Sequence, residues 1–508
     1  MDKLIGKTDK SVFWVSTTVC LFFVAWGLLF PEQAEATFNE WLVFFTSNFG
    51  WLYLIVVASF VVFLFFLCFH KVGNIKLGKD SDQPTYKISS WFFMMFIASM
   101  GIGMMFWGVA EPIYHLMSPP FNEPPGAQAA QTAMRTSFMH WGLHPWAVYS
   151  IVGISLAYWQ FRKDKPALIS STLIPLYGER GAKGWMGKSV DILAVFATVF
   201  GVAASLGFGA KQIAGGLNYV YGTPNTTAAT VLIVLVLTAL FICSAVSGID
   251  KGILFLSNIN IWLCIALMAF ILIAGPTVFI LNVFTDTTGA YLHSLLQLSF
   301  WTDPYQTNPG WLSSWTVFYW AWWLSWGPFV GGFIARISKG RTVREFIIGA
   351  LFCPVLVCFI WFSIMGGTAI HFELGGNHVI SEAVTVDVAN AFFAMLGQLP
   401  FPVVLCALAT VLIGIFFITS ADSATFVCAM MTSFGVQEPK RNLKIFWGIV
   451  EGLVAAVLLI TGGITALRTV SIVAAFPFMF VCVALMVSMY KSFMNDPYIT
   501  KQREGKSG

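Results

Sequence analysis

Long apolar stretches limit what this chain can fold into more than any other feature. A helix that crosses a bilayer needs about 20 mainly apolar residues, and twelve such segments follow one another along the sequence. They lie at roughly 12–30, 51–70, 89–110, 140–162, 190–212, 228–247, 253–284, 313–337, 344–367, 399–432, 443–462 and 468–490. Only 10% of the residues are charged, against about a quarter in soluble domains. The sequence therefore predicts an all-α integral membrane protein with 12 transmembrane helices.

The basic residues determine the predicted orientation of these spans. With the N-terminus inside, the cytoplasmic side receives all of the 28 basic residues except Arg135, Lys211 and Arg468, as the positive-inside rule requires. We therefore expect a multi-pass protein of the cell (cytoplasmic) membrane with both termini cytoplasmic. No small-residue cleavage site precedes the acidic loop at Glu32, so the first span is expected to be retained.

Loops, cysteines and net charge argue against several classes of function. No loop between the predicted spans is long enough for a soluble catalytic domain, so the spans themselves must carry the function and an enzyme is not expected. The nine cysteines lie in apolar segments without metal-ligand spacing, which predicts neither disulfides nor a zinc site. The net charge of +4 is small for 508 residues and indicates no nucleic-acid partner. No organic cofactor is expected.

The third predicted span contains Gly101-Ile102-Gly103 near its middle. Two glycines around one residue loosen a helix and free carbonyl oxygens, which the membrane interior tolerates only where they are buried in protein or line a cavity. Close helix packing through small residues would use the same glycines. The pattern thus leaves two interpretations open, a ligand site and a packing contact.

Aromatic residues are concentrated in the eighth predicted span, deep inside the membrane. Four of them recur at i, i+3, i+4 and i+7 and so share one helix face: Tyr319, Trp322, Trp323 and Trp326. The fourth span adds Trp141, Trp146 and Tyr149. Ring faces that converge in an apolar site attract a quaternary ammonium group, which cannot donate a hydrogen bond. Aromatic core packing is the alternative interpretation.

Hydroxyl groups in the tenth and fifth spans predict an ion site. Thr419 and Ser420 stand beside Asp422, and the fifth span contains Thr198 and Ser205. Polar groups inside a span are costly unless they are used, and broken helices in transporters coordinate sodium through oxygen atoms. Hydrogen bonds from the hydroxyls to their own helices would explain the same residues.

Interrupted segments in spans three and eight lie five spans apart, which suggests two five-helix repeats. The predicted organisation is an N-terminal tail with two extra spans (1–88), a first five-helix repeat (89–285), an interfacial helix or loop (286–312), a second repeat (313–490) and a cytoplasmic tail (491–508).

Four motifs resemble the betaine/choline/carnitine transporter (BCCT) family: MGIGMMFWGVAEP at 100–112, HWGLHPWA at 140–147, FYWAWW at 318–323 and ARISKGRTVRE at 335–345. The resemblance covers nearly the whole chain. It implies a LeuT-like 5+5 inverted repeat of spans 3–7 and 8–12, preceded by two extra helices. It also implies a homotrimer that transports a trimethylammonium substrate by alternating access.

The resemblance also implies roles for individual residues. The substrate site would use an aromatic box and the third-span motif: Trp141, Trp146, Tyr149, Trp322, Trp323, Trp326, Gly101, Ile102 and Gly103. One sodium site would use Ala98, Met100, Phe416, Thr419 and Ser420. A second would use Thr198 and Phe329, although a second hydroxyl expected four residues after Thr198 is Val202 here.

Two further positions favour a zwitterionic substrate and sodium coupling. Choline carriers of the family tend to have an acidic residue at the position of Gly103, and sodium-independent carnitine exchangers have an arginine where Asn260 stands. A zwitterion has no net charge for the membrane potential to act on, so its accumulation needs a coupled ion. The sequence thus predicts sodium-coupled import of glycine betaine, or a related compatible solute, for osmoprotection. A choline or carnitine carrier is the alternative within the family, and a channel or an intramembrane enzyme is the alternative from another class.

Overall fold

The computed structural model describes residues 6–247 and 250–504, including all of their side chains except those of 98–99, 244–247, 250–257 and 502–504. This part of the chain is helical, and its one β pairing is a single bridge between Lys76 and Thr342. The prediction of an all-α protein is confirmed.

The helices are numbered here in chain order. The first half contains α1 (Lys10–Leu29), α2 (Pro31–Phe69), α3 (Ile88–Ser99), α4 (Ile102–Met117), α5 (Ala127–Trp141), α6 (Leu143–Ala157), α7 (Ile169–Thr172), α8 (Ile174–Lys183), α9 (Trp185–Tyr221), α10 (Thr227–Ser247), α11 (Asp250–Ala274) and α12 (Thr277–Phe300). The second half contains α13 (Phe318–Ile337), α14 (Val343–Leu374), α15 (Val379–Val386), α16 (Ala391–Leu396), α17 (Pro402–Thr432), α18 (Arg441–Thr461), α19 (Gly463–Met494) and α20 (Pro497–Glu504). Single π-helical turns at Tyr158–Arg162 and Ser313–Val317 extend α6 and precede α13.

Length and apolar composition identify this chain as a multi-pass membrane protein. Among the described residues, seven helices are long and apolar enough to cross a membrane, or up to nine if each of two bent pairs is one span. The bent pairs are α3 with α4, at 63°, and α11 with α12, at 108°. The larger number of twelve spans stays a prediction.

Two of the predicted spans have different boundaries in the structure. Helix α2 is 39 residues long and begins at Pro31, about twenty residues before the predicted span at 51–70, because a proline at the first helical position favours helix initiation. The predicted span at 253–284 is not one helix. It breaks at Gly275-Pro276, where α11 ends and α12 begins, since proline cannot donate the backbone hydrogen bond that would continue a helix.

The fourth predicted span also divides, at Gly142 between α5 and α6. Pro145 lacks the N–H group that would bond to the carbonyl of Trp141, so the helix is interrupted at this point. The break lies beside the region where α13 packs against α6, α9 and α19, while α4 packs against α5, α9 and α14. The aromatic segments of α5, α6 and α13 and the broken pair α3/α4 therefore meet in the middle of the bundle.

A buried ion-pair cluster ties the C-terminal segment to the end of α6. Arg162 donates from Nε and Nη2 to the two carboxylate oxygens of Asp496, both at 2.7 Å, and from Nη1 to Asp80 at 2.8 Å. Tyr158 donates to Asp496 at 2.8 Å. The Asp496 side chain is 0% exposed, so this cluster fixes the position of the segment that follows α19.

Candidate functional site

A cavity lies between the start of α4 and helices α5, α6 and α13. Six aromatic side chains from two regions of the sequence line it: Trp141, Trp146, Tyr149, Trp322, Trp323 and Trp326. Met100, Gly101 and Gly103 line it from the α3/α4 break. All six residues predicted for the aromatic box are thus brought together with both glycines of the third-span motif.

The rings in the cavity wall are packed against one another. Trp322 and Trp323 stack with ring centroids 4.8 Å apart and an interplanar angle of 18°. Trp141 meets Trp323 edge to face at 4.8 Å, and Trp146 meets Tyr149 in the same way at 5.4 Å. Offset and edge-to-face contacts at these distances are the favourable geometries for aromatic pairs. The walls therefore form one rigid set of rings.

The indole N–H groups of three wall residues donate to atoms outside the cavity. Trp322 donates to Oγ of Ser205 (3.1 Å), Trp323 to the carbonyl of His140 (3.0 Å) and Trp326 to the carbonyl of Gly201 (3.0 Å). These bonds fix the ring orientations and leave π surface for a ligand. Among the described residues that line the cavity, none carries a formal charge. Ser205, one of the hydroxyl residues of the fifth predicted span, thus accepts the hydrogen bond that orients Trp322.

Gly103 is a point of close contact between α4 and the aromatic wall. A Cβ atom there would lie 2.8 Å from Cη2 of Trp322 and 3.0 Å from Cη2 of Trp141. Around Gly101, by contrast, no atom lies within 4 Å of such a Cβ. The two glycines of the motif therefore differ: Gly103 permits packing of the box, and Gly101 borders open space. Ile102, predicted to join them, is fully buried, packs its side chain on Gly209 and is not among the residues that line the cavity.

Behind the cavity wall lies Glu111 of α4, which is fully buried. Its Oε1 lies 2.6 Å from Nδ1 of His140 and 3.3 Å from Nε2 of His115. Its Oε2 accepts hydrogen bonds from Nε1 of Trp141 at 2.8 Å and from the hydroxyl of Tyr319 at 2.5 Å. One carboxylate thus joins a wall residue to two histidines.

Sequence reasoning assigned no role to this cluster, although the signal was present. Glu111 and His115 stand one helical turn apart directly after the predicted third span at 89–110, and ionisable groups in or beside spans are candidate functional residues. The ligand atoms of Glu111, His115 and His140 lie within 4.8 Å of one another, a spacing that could accommodate a metal ion. Each of these atoms is already engaged in the hydrogen bonds given above.

A partly buried cation is held by aromatic rings in the same core. The guanidinium carbon of Arg468 lies over three rings, those of Trp107 (5.0 Å), Trp315 (5.0 Å) and Phe318 (5.2 Å). These distances fall within the range of cation–π attraction. Aromatic rings in this bundle therefore bind a cationic group as well as pack against apolar side chains.

The residues predicted for the first sodium site lie on neighbouring helices. Met100 lies between α3 and α4, and α17, which carries Phe416, Thr419 and Ser420, packs against α4 and α13. Thr419 donates to the carbonyls of Ile415 (3.0 Å) and Phe416 (3.3 Å), so its hydroxyl is bonded to its own helix. Ala98 belongs to α3, but its side chain falls outside the described residues.

The residues predicted for the second sodium site lie where α9 packs against α13. Thr198 is fully buried and donates to the carbonyl of Ala194 at 2.8 Å. Phe329 contacts Trp326 with ring centroids 5.4 Å apart. Val202, one turn after Thr198, is also fully buried and offers no side-chain oxygen.

Comparisons with known proteins identify the family. The family described as "BCCT, betaine/carnitine/choline family transporter" matches residues 11–498. The chain is 46% identical over 500 residues to a glycine betaine transporter of Bacillus subtilis, covering 98% of this chain and 97% of that protein. It is 44% identical over 499 residues to a probable glycine betaine transporter of Desulfitobacterium hafniense, covering 98% and 100%. An ectoine/hydroxyectoine transporter of Virgibacillus pantothenticus is 41% identical over 482 residues, which cover 94% and 95%. With nearly the whole chain matched, the protein belongs to the betaine/carnitine/choline transporter family.

Proposed function

We propose that this protein is a secondary active transporter that imports glycine betaine or a related trimethylammonium zwitterion together with sodium. The observation that carries the proposal is the cavity walled by ring faces, with no charged group among its described lining residues. A trimethylammonium group has no hydrogen to donate and is attracted by such faces. Two of the relatives are named as glycine betaine transporters, one of them as probable, which supports the same substrate class.

Sodium coupling is the second part of the proposal. A betaine is electrically neutral overall, so the membrane potential alone cannot concentrate it. The helix break at Gly101 and the hydroxyls of Thr419 and Ser420 on the packed helix α17 supply oxygen atoms of the kind that sodium binds in transporters with broken helices. Thr198 is the candidate for a second ion, with fewer side-chain oxygens around it because of Val202.

The proposed architecture follows from the same assignment. We infer a LeuT-like arrangement of twelve spans in two inverted five-helix repeats, with two extra helices at the start, both termini in the cytoplasm and three copies in the functional assembly. The break between α3 and α4 at the cavity supports this arrangement, because interrupted helices at the centre of each repeat are the usual place of a transport site.

Ectoine is a second candidate substrate, because one relative is named as an ectoine/hydroxyectoine transporter. Ectoine is also a zwitterion, but its positive charge belongs to a ring that carries N–H donors. A cavity without charged or acidic lining offers such donors few partners, which favours the trimethylammonium compound. Competition of ectoine, choline and carnitine against labelled glycine betaine would rank these substrates.

Replacement of Trp323 by leucine tests the proposed binding site. A desolvated cation–π contact contributes about 2 kcal/mol or more, so Trp323→Leu should weaken betaine binding by at least roughly 30-fold. Trp262→Leu is the matched control, because the Trp262 side chain is 63% exposed on the outer surface of the bundle. Unchanged betaine affinity in folded Trp323→Leu protein would rule out the aromatic cavity as the binding site.

A further inference from the structure

The carboxylate behind the cavity wall has a hydrogen-bond pattern that fits its ionised form. Four donor groups surround Glu111: two ring nitrogens, of His115 and His140, at Oε1, and the indole N–H of Trp141 with the Tyr319 hydroxyl at Oε2. An ionised carboxylate is an acceptor only, with about four lone-pair sites. A protonated carboxyl would bring a fifth hydrogen into this fully buried set of donors.

The histidines can supply these hydrogens while remaining neutral. With its proton on Nδ1, His140 donates to Glu111 and accepts at Nε2 from the hydroxyl of Thr316, which lies 2.9 Å away. With its proton on Nε2, His115 donates to Glu111, and its Nδ1 has no hydrogen-bond partner among the described atoms. A cationic His115 would leave a buried N–H without an acceptor, which is unfavourable. In this arrangement Glu111, His115 and His140 together carry one negative charge, and the guanidinium of Arg468 lies nearby on the ring of Trp315, which also contacts His115.

This charge lies at the rear edge of a ring that faces the ligand cavity. The Trp141 indole lines the cavity, and its N–H donates to Glu111 at 2.8 Å. Hydrogen bonds to ionised groups are strong, and in a low-dielectric interior they polarise the groups that make them. Donation from the indole N–H to a carboxylate pushes electron density into the indole ring. The ring face toward the cavity becomes more negative, which strengthens its attraction for a cation.

We propose that Glu111 is a positioning residue that sets the charge preference of the cavity by polarising the indole of Trp141. The inference rests on the proposed function, since it assumes that the aromatic cavity holds the cationic group of the substrate. Tyr319, which also donates to Glu111, stacks on the wall residue Trp323 with centroids 5.6 Å apart. Glu111 thus bonds directly to one wall residue, Trp141, and also accepts from Tyr319, the ring that stacks on the wall residue Trp323.

Two ligands of the same shape separate polarisation from simple positioning. Glycine betaine and 3,3-dimethylbutanoate differ only in the central atom, a positively charged nitrogen in one and a neutral carbon in the other. If Glu111 only holds Trp141 and Tyr319 in place, its loss must weaken the binding of both ligands by a similar factor. If Glu111 polarises the ring, its loss must weaken the binding of betaine alone.

Glu111→Gln is the variant that removes the charge and preserves the shape. The amide oxygen can accept from Trp141 and Tyr319, and one amide N–H can donate to His140 after that ring moves its proton to Nε2, where Thr316 lies within hydrogen-bond distance. The same change at His115 would leave its Nδ1–H without an acceptor, so this ring keeps its tautomer and loses its bond to residue 111. We expect the Kd for glycine betaine to rise about three- to tenfold, and the Kd for 3,3-dimethylbutanoate to change by less than about twofold. Glu451→Gln is the control, because Glu451 is equally buried in α18 but is bonded to Cys428, with Oε1 and Sγ 3.6 Å apart. Neither Kd should change in Glu451→Gln.

The outcomes distinguish this inference from the proposed function. If the wild-type protein binds both ligands equally, the aromatic cavity does not recognise a cation and the proposed function fails. If the wild type prefers betaine and Glu111→Gln retains the same ratio of the two Kd values, the polarisation inference is overturned while the proposed function stands.

Infrared difference spectroscopy on wild-type protein provides a test that needs no variant to fold. With 13C-labelled glutamate, betaine binding should perturb a band of an ionised glutamate carboxylate. A perturbed band of a protonated carboxyl, or no glutamate band at all, would overturn the inference.

Discussion

A methyl group added at Gly103 should damage the substrate site by forcing two wall residues apart. The new Cβ would lie 2.8 Å from Trp322 and 3.0 Å from Trp141, well inside the roughly 3.5–4.0 Å of an optimal carbon–carbon contact. Trp322 has no room to withdraw, since it stacks on Trp323 at 4.8 Å and on Phe318 at 5.5 Å. A shift of several tenths of an ångström must therefore pass through the whole wall.

The size of the effect follows from the general cost of overpacking. An extra methyl group in a well-packed core costs about 1–3 kcal/mol of stability. Displacement of the rings can relieve part of that cost, but the displaced rings then change the shape of the cavity. If the cost falls on the bound state, betaine affinity should decrease by about 5- to 150-fold. The assay is equilibrium binding of labelled betaine to purified Gly103→Ala protein, with KM for uptake as a second readout.

Gly101→Ala is the matched control for this prediction. The same methyl group there meets no atom within 4 Å, and the φ of −174° at Gly101 is an extended conformation that any residue adopts. We expect Gly101→Ala to weaken betaine binding less than Gly103→Ala does, because its methyl group meets no wall ring. Equal affinities for Gly101→Ala and Gly103→Ala, whether both high or both low, would refute the argument from close packing.

The same contact changes the expectation for an acidic residue at this position. From sequence alone, Gly103→Asp should favour choline over betaine through charge. The structure adds that any side chain at Gly103 meets Trp322 and Trp141, so we expect both substrates to bind more weakly in Gly103→Asp and in Gly103→Ala. Choline uptake by Gly103→Asp alone would support selection by charge.

Three further changes test other parts of the account. Thr419→Ala combined with Ser420→Ala should raise the sodium concentration for half-maximal uptake without lowering the protein level, and equal sodium dependence in variant and parent would exclude this site. Thr198→Ala should have the smaller effect on sodium dependence, and a larger one would reverse the order of the two sites. Asp496→Asn should lower the thermal stability much more than Asp164→Asn, because Asp496 is buried in its pair with Arg162 whereas Asp164 pairs with Lys79 at an exposed site. Buried ion pairs cost about 3–5 kcal/mol to break and exposed pairs about 1 kcal/mol or less. Burial opposes ionisation of Asp496, but hydrogen bonds from its arginine and tyrosine partners hold its pKa below the usual value, so this stabilisation should be present at neutral pH and lost only as the pH falls below about 4.

The apolar pattern predicted the helical class well because burial in lipid requires both apolar side chains and internal backbone hydrogen bonds. The family assignment is confirmed, and with it a transporter rather than an enzyme. Boundaries were harder to predict, since hydropathy marks where a segment becomes polar and not where a helix ends. Helix α2 continues back through Glu40, Glu35 and Glu32 to Pro31, because polar residues form helices as readily as apolar ones.

Helix periodicity identified the aromatic face but not the partner of each ring. Trp322, Trp323 and Trp326 line the cavity, whereas Tyr319, on the same face, turns its hydroxyl to Glu111. Spacing along one helix determines which residues are neighbours on that helix. This spacing carries no information about which group of another helix lies opposite. Glu111 and His140, which are 29 positions apart in the chain, become hydrogen-bond partners only when their helices pack.

Accumulation of glycine betaine in proteoliposomes tests the central claim most directly. Purified protein would be reconstituted with labelled betaine outside and either an inward sodium gradient or an equal potassium gradient across the membrane. The proposed function predicts accumulation above the external concentration with the sodium gradient and only equilibration with potassium, and it predicts that Trp323→Leu abolishes the difference. Equal accumulation with both cations, or sodium-driven accumulation that Trp323→Leu leaves intact, would contradict the claim that this protein couples sodium to betaine transport through the aromatic cavity.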